Sequence, residues 1–316
     1  MKRKILAAAV VTALGVSGQA AAQVYAGSKL WIDDFTLAIS NAGFNLQSFT
    51  FNVEDSATLD GATDAHADGC GSIGTPCGAA PVLTIAAANA PGSTPVRADN
   101  DYNLFGTGSA TLKMANSNAE ISTAQLINGT PTSTKQVAEA EIMDPDQGQG
   151  QASTNIQSNT TFELTFTLGA GGVLDLNFTA DAFMETLVAL LPGWVGSVQA
   201  NMNTSFTLSD ANNNPLVIWN PNGIDGDVIC LGGLTCTDTE GGLGLNHNLG
   251  NATGTFNGSG DYALNVQGFA AGEYKLALSA LTSVNVVQVP EPAIVLLFGT
   301  GLLGMGMFQR KRTPTT

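Results

Sequence analysis

The sequence predicts a mainly β protein: an antiparallel β-sandwich or jelly-roll-like ectodomain over residues 23–288, followed by a single C-terminal membrane helix. Three observations predict it. Gly, Asn, Ser and Thr are abundant and Lys and Arg scarce, and the short polar residues compete with helical backbone bonds. Several segments alternate apolar and polar residues with period two. One uncharged apolar run stands near the C-terminus, apart from the alternating segments.

The alternating segments come in order. In LWIDDFTLAI, Phe35, Leu37 and Ile39 share a face. In NTTFELTFTLGAGGVLDLNFTA, Phe162, Leu164, Phe166 and Leu168 face one way, residues 169–172 turn, and Leu174, Leu176 and Phe178 return, which predicts a hairpin. NTSFTLSDANNNPLVIW predicts a second hairpin with its loop at Asp210–Pro215. GDYALNVQGFAAGEYKLALSA predicts a third, Tyr262, Leu264 and Val266 answering Tyr274, Leu276 and Leu278. Between them, Asp181 fits the cap of a short helix over 182–191, stopped by Pro192-Gly193 and turning Phe183, Leu187 and Leu190 toward a sheet edge. Residues 61–101 read as a long loop, and KQVAEAEIMDPDQGQGQASTN as a surface connection holding the best candidate sub-boundary, near 144–158.

Both ends carry addresses. Lys2, Arg3 and Lys4 precede an apolar segment, and Ala20-Ala21-Ala22 supplies the small residues of a signal-peptidase site, so residues 1–22 read as a signal peptide cut between Ala22 and Gln23. At the other end, residues 293–308 carry no charge and precede Arg310, Lys311 and Arg312. Sixteen helical residues span about 24 Å at 1.5 Å each, a tolerable mismatch to a hydrocarbon core of about 30 Å if the cations snorkel. Those cations hold the extreme terminus on the cytoplasmic side. GTGLLG within this run spells a dinucleotide-binding turn, but such a turn needs a strand before it and a helix after it, so the nucleotide reading is rejected.

Pro290, Glu291 and Pro292, the apolar span and the basic end together, over residues 289–312, resemble the PEP-CTERM sorting signal of Gram-negative bacteria. The resemblance implies a membrane-embedded exosortase as partner, transient anchoring in the inner membrane, processing near Pro-Glu-Pro, and a final place at the cell surface or outside the cell. It also implies association with exopolysaccharide, biofilm or floc material. Glu54-Asp55-Ser56-Ala57 is similar to the motif that names the EDSAP group of these proteins.

Between residues 23 and 289 there are 25 acidic and 5 basic residues, a charge of −20. Such a surface repels nucleic acid, whose binding needs clustered cations. The four cysteines fall into two local pairs, Cys70 with Cys77 and Cys230 with Cys236, which in an exported chain read as disulfides rather than as a zinc site with His66.

Little points to catalysis. The two histidines, His66 and His247, read as solvated loop residues, and FNGSGD around Ser259 reads as a tight turn, not a nucleophile elbow. Adjacent carboxylates are numerous enough in so acidic a chain to arise by chance. Calcium is the better-motivated ligand: WNPNGIDGDV offers Asn220, Asn222, Asp225 and Asp227, and DPDQGQG offers Asp144 and Asp146, although neither matches an EF-hand. The expectation is a non-enzymatic exported matrix protein without a firm cofactor. The alternatives are a carbohydrate-binding module, calcium-assisted and stacking sugars on Trp31, Trp194 or Trp219, and a secreted hydrolase.

Overall fold

The computed structural model describes residues 22–40, 43–73, 81–122, 131–144, 152–190 and 194–290. The strands are β1 (Ala22–Ser40), β2 (Asn45–Leu59), β3 (Ala62–Ile73), β4 (Val82–Ala87), β5 (Lys113–Ile121), β6 (Thr132–Asp144), β7 (Ala152–Leu168) and β8 (Val173–Ala189). They continue with β9 (Trp194–Asp210), β10 (Pro215–Trp219), β11 (Ile229–Cys230), β12 (Thr235–Glu240), β13 (His247–Gly250), β14 (Gly254–Gln267) and β15 (Gly272–Pro290). The first sheet has the order β12-β14-β8-β1-β6-β5-β4 and the second β11-β10-β9-β15-β7-β2-β3, with β13 on the free edge of β9. All pairings are antiparallel, and both sheets draw strands from either side of residues 144–158.

The two sheets bury their facing sides against each other, as period-two sequences require. Leu30, Ile32, Leu176 and Met184 from the first sheet and Phe49, Phe51, Phe166, Leu208 and Leu276 from the second are buried in one core. Each such side chain taken from water stabilises by about 1.5–3 kcal/mol. Phe178 stacks on Tyr262 at 4.8 Å between ring centroids, and Phe166 on Tyr274 at 6.0 Å.

The strands stand where the alternation placed them, but two of the three hairpins do not exist. Of the three, only β9–β10 is a hairpin. β7 lies between β15 and β2 in the second sheet, whereas β8 lies between β14 and β1 in the first. β14 and β15 are likewise in different sheets. The turns at 169–172 and 268–271 are therefore arches from one sheet to the other. They are bound together by Gly171 N–H donating to Phe269 C=O at 2.8 Å. Gly171 and Gly268, at φ 79° and 86°, take backbone positions that a side chain would strain.

Other expectations also change. The segment expected to be helical continues β8, burying Ala182, Met184 and Thr186 toward the core. A full ladder to β1 on one side and β14 on the other outweighs the local helical spacing. Residues 61–101 contain β3 and β4. KQVAEAEI, expected on the surface, forms the buried central strand β6, and the Ser259 segment lies inside β14. Both histidines are on strands: His66 on β3, bonded to Asp64, and His247 on β13, stacked on Phe256.

Residues 88–112 cover the part of the first sheet's outer face formed by β1, β5 and β6. Beneath them the outward positions of β6 are Glu139 and Glu141, both fully buried. Glu139 accepts from Tyr25 Oη at 2.8 Å, Arg97 Nη2 at 2.6 Å, and the backbone of Phe105 and Gly106 at 3.0 and 2.9 Å. Glu141 accepts from the Gln23 side chain, Ser109 Oγ and the backbone of Gly108 and Ala110. Two carboxylates thus organise a loop that has no strand of its own, because buried N–H groups must find acceptors.

Candidate functional site

The described residues reach into the sorting signal as far as Pro290. The backbone of β15 stays paired to its last residues, Val289 with Val195 and Pro290 with Trp194. The signal therefore starts directly from a central strand of the second sheet, with no linker between them. At the same end, a Cβ on Gly196 would lie 3.0 Å from both Val24 Cγ1 and Val287 O, so the start of β1 and the end of β15 are neighbours. Glu291, Pro292, the apolar run at 293–308, Arg310, Lys311 and Arg312 lie outside the described residues, as do Ala20 and the other residues before Ala22. Among the described residues no helix is long and apolar enough to cross a membrane.

The calcium candidates fall on the loop between β10 and β11. Asn222 Oδ1 accepts the Ile224 N–H at 2.9 Å, its Nδ2 donates to Asp227, and Gly223 and Gly226 take positive φ, 88° and 84°. These are the local turns that Asn, Asp and Gly favour. Asn220 is exposed at the start of the loop, and Asp225 accepts the Glu240 N–H through Oδ1. Asp144 has no described side chain, and Asp146 lies outside the described residues.

The loop sits on two residues that sequence reading missed. Strand β12, TCTDTE, points Asp238 and Glu240 inward. Glu240 gathers the loop: Oε1 accepts Trp219 Nε1–H at 2.6 Å, and Oε2 accepts the N–H groups of Asn222, Gly223 and Ile224. Asp238 Oδ2 accepts the Gly226 N–H at 2.9 Å. Asp227, Asp238 and Glu240 each bring one carboxylate oxygen to within 4.8 Å of the others. Burial pushes the Glu240 carboxyl above its ordinary range against the pull of those N–H donors, and burial followed by the charge of Asp238 pushes Asp227 up. The legible signal was parity: Asp238 and Glu240 share the inward register of Cys236.

Trp194, at the start of β9, is half-buried. Trp219 is buried against Phe178 and Phe206, so it is core. Trp31 is half-buried, with Lys29 Nζ 4.1 Å and Lys135 Nζ 5.5 Å from its ring centroid. Cys230 is bonded to Cys236, closing the chain between β11 and β12. Cys70 is also in a disulfide, and Cys77 lies outside the described residues.

Fold and termini together define a β-sandwich protein whose last strand runs directly into a C-terminal sorting signal. Residues 288–312 match the PEP-CTERM protein-sorting motif, so the chain carries that sorting signal, which implies an exosortase as its processing partner. That motif implies export and membrane-associated processing at the C-terminus. The match does not include Glu54–Ala57, which lie on β2 with Asp55 and Ala57 turned inward and Thr84 Oγ1 donating to Asp55 Oδ2 at 2.6 Å. No curated protein and no solved structure matches the chain.

Proposed function

We infer that this protein is a non-enzymatic surface or matrix component, delivered by an exosortase and associated with neutral exopolysaccharide. The observation that carries the reading is the sorting motif at residues 288–312, joined without a linker to β15. Processing near Pro290 would release a sandwich that has lain against the membrane.

Association with polysaccharide is supported by the outer face of the second sheet. Its outward positions include Gln199, Asn201, Asn203, Ser205 and Thr207 on β9 and Ser279, Ser283 and Asn285 on β15, with Leu281 between the two serines. Asn248 on β13 donates to Asn201, and Asn201 Nδ2 donates to Ser283 Oγ at 3.3 Å, so the row continues across three strands. A flat array of amides and hydroxyls offers donors and acceptors to sugar hydroxyls without charge repulsion.

Two measurements test the reading. Fractionation of cells expressing a chain without Arg310–Arg312 should show an unprocessed, membrane-retained protein; processing and surface display like the wild type would refute the sorting role. Calorimetry against the host's neutral exopolysaccharide should show binding that falls at least tenfold in Asn201→Asp/Ser283→Asp, where added charge disrupts the face. Unchanged binding would refute the role of this face.

A further inference from the structure

We propose that Asp227, Asp238 and Glu240 form a calcium site that fastens the loop between β10 and β11 to the edge of the first sheet. The proposal stands apart from the sorting reading. Three oxygens within 4.8 Å of one another fit around a cation, since two ligands on opposite sides of calcium at about 2.4 Å are that far apart.

Burial supplies the independent reason. Asp238 is only 8% exposed, and its Oδ1 is buried without a hydrogen-bond partner, although its Oδ2 accepts the Gly226 N–H. A buried, unpartnered oxygen on a carboxylate clustered with two others is costly unless a donor or a cation meets it. No side chain can serve as that cation from nearby sequence, because there is no Lys or Arg between Lys135 and Lys275. None of the ion pairs among the described residues reaches the cluster.

The remaining lone pairs suit a hard ion. Glu240 Oε1 accepts only Trp219 Nε1–H, and Asp227 accepts Asn222 Nδ2–H on Oδ2, so each keeps acceptor capacity. Asp227 is exposed, which leaves room for water ligands and an entry path. A mixed shell of carboxylates and water is typical of calcium, and extracellular sites of this kind bind at roughly 10⁻⁴–10⁻³ M. With a cation bound, the loop, β12 and Trp219 of the opposite sheet would be held as one unit.

The test uses the full-length chain in detergent, stripped with chelator. Terbium bound here would lie beside Trp219, whose indole bonds Glu240 at 2.6 Å, so tryptophan excitation should give sensitised terbium emission. We expect saturable emission, displacement by calcium at lower concentration than by magnesium, and a calcium-dependent rise in melting temperature. Asp238→Asn and Asp227→Asn should each weaken terbium binding at least tenfold, while Asp99→Asn, on the covering loop, should bind like the wild type. Asp227 is exposed, so its variant reads the site even if Asp238→Asn fails to fold. Absence of sensitised emission, or wild-type binding in the Asp227 variant, would overturn the proposal. Equal displacement by magnesium would overturn the choice of calcium.

Discussion

Arg97 donates through Nη2 to Oε2 of Glu139 at 2.6 Å, and neither side chain is exposed. The same guanidinium donates through Nη1 to the carbonyls of Asp101 and Asn103 at 2.8 and 2.7 Å and lies over the Phe105 ring. One cation therefore neutralises a buried carboxylate on β6 and shapes the loop that covers it. Neither group is stable in the interior without the other.

Arg97→Met should lower stability by about 3–5 kcal/mol, because it strands the Glu139 charge. Glu139→Gln in the same chain should recover part of that loss. Denaturant titration of the two single variants and the double variant reads the coupling; additive losses would show that the pair acts independently.

At Gly27 the covering loop packs directly on β1. A Cβ there would lie 2.5 Å from Tyr25 Oη and 2.9 Å from Leu104 Cδ2. Gly27→Ala should cost about 1–3 kcal/mol by overpacking, and Leu104→Ala in the Gly27→Ala background should relieve part of it. Melting temperatures of the three chains decide the matter.

Glu185 sits opposite Gly27 on β8, and its carboxyl is raised above the ordinary 4.5, chiefly by burial and then by the charge of Glu141. For a raised carboxyl the folded state binds the proton more tightly. Its contribution to stability is complete below pH 4.5 and is lost as pH climbs through the raised value. Melting temperature should therefore fall from pH 4.5 toward neutrality, less steeply in Glu185→Gln. Parallel profiles for the two proteins would show that another group sets the slope.

The Cys230–Cys236 bridge closes a loop of sequence separation 6, so the chain-entropy account gives it roughly 2 kcal/mol. Cys230→Ser/Cys236→Ser should keep its far-ultraviolet β signature and lose about that much in denaturant titration. Loss of the folded signal altogether would mean that the bridge organises far more than the β11–β12 loop.

Period-two alternation made most strands legible, among them Phe35 and Leu37 on β1 and Tyr274 and Leu276 on β15. It could not tell a hairpin from an arch. In both, alternate residues turn toward one core, so Leu164–Leu168 and Leu174–Phe178 read alike whether they pair side by side or face each other across it. Alternation also predicted nothing for β6, whose outward Glu139 and Glu141 look like a surface until Arg97 and the covering backbone are folded over them. The loop half of the acidic cluster, Asn222 to Asp227, was visible as an Asn/Asp/Gly turn. Its other half lies on β12, where only the register shows that Asp238 and Glu240 point inward.

The sequence alone determined the parts of this protein that depend on short, local chemistry. These are the sorting motif, the strongly acidic ectodomain and the strand-forming alternation, since membrane fit, net charge and side-chain parity need no distant partner. Tertiary structure decided what depends on which segments meet: the division of strands between two sheets, the burial of Glu139 and Glu141, and the convergence of Asp227 with Asp238 and Glu240. Burial and charge pairing are relations between remote residues, and folding creates them.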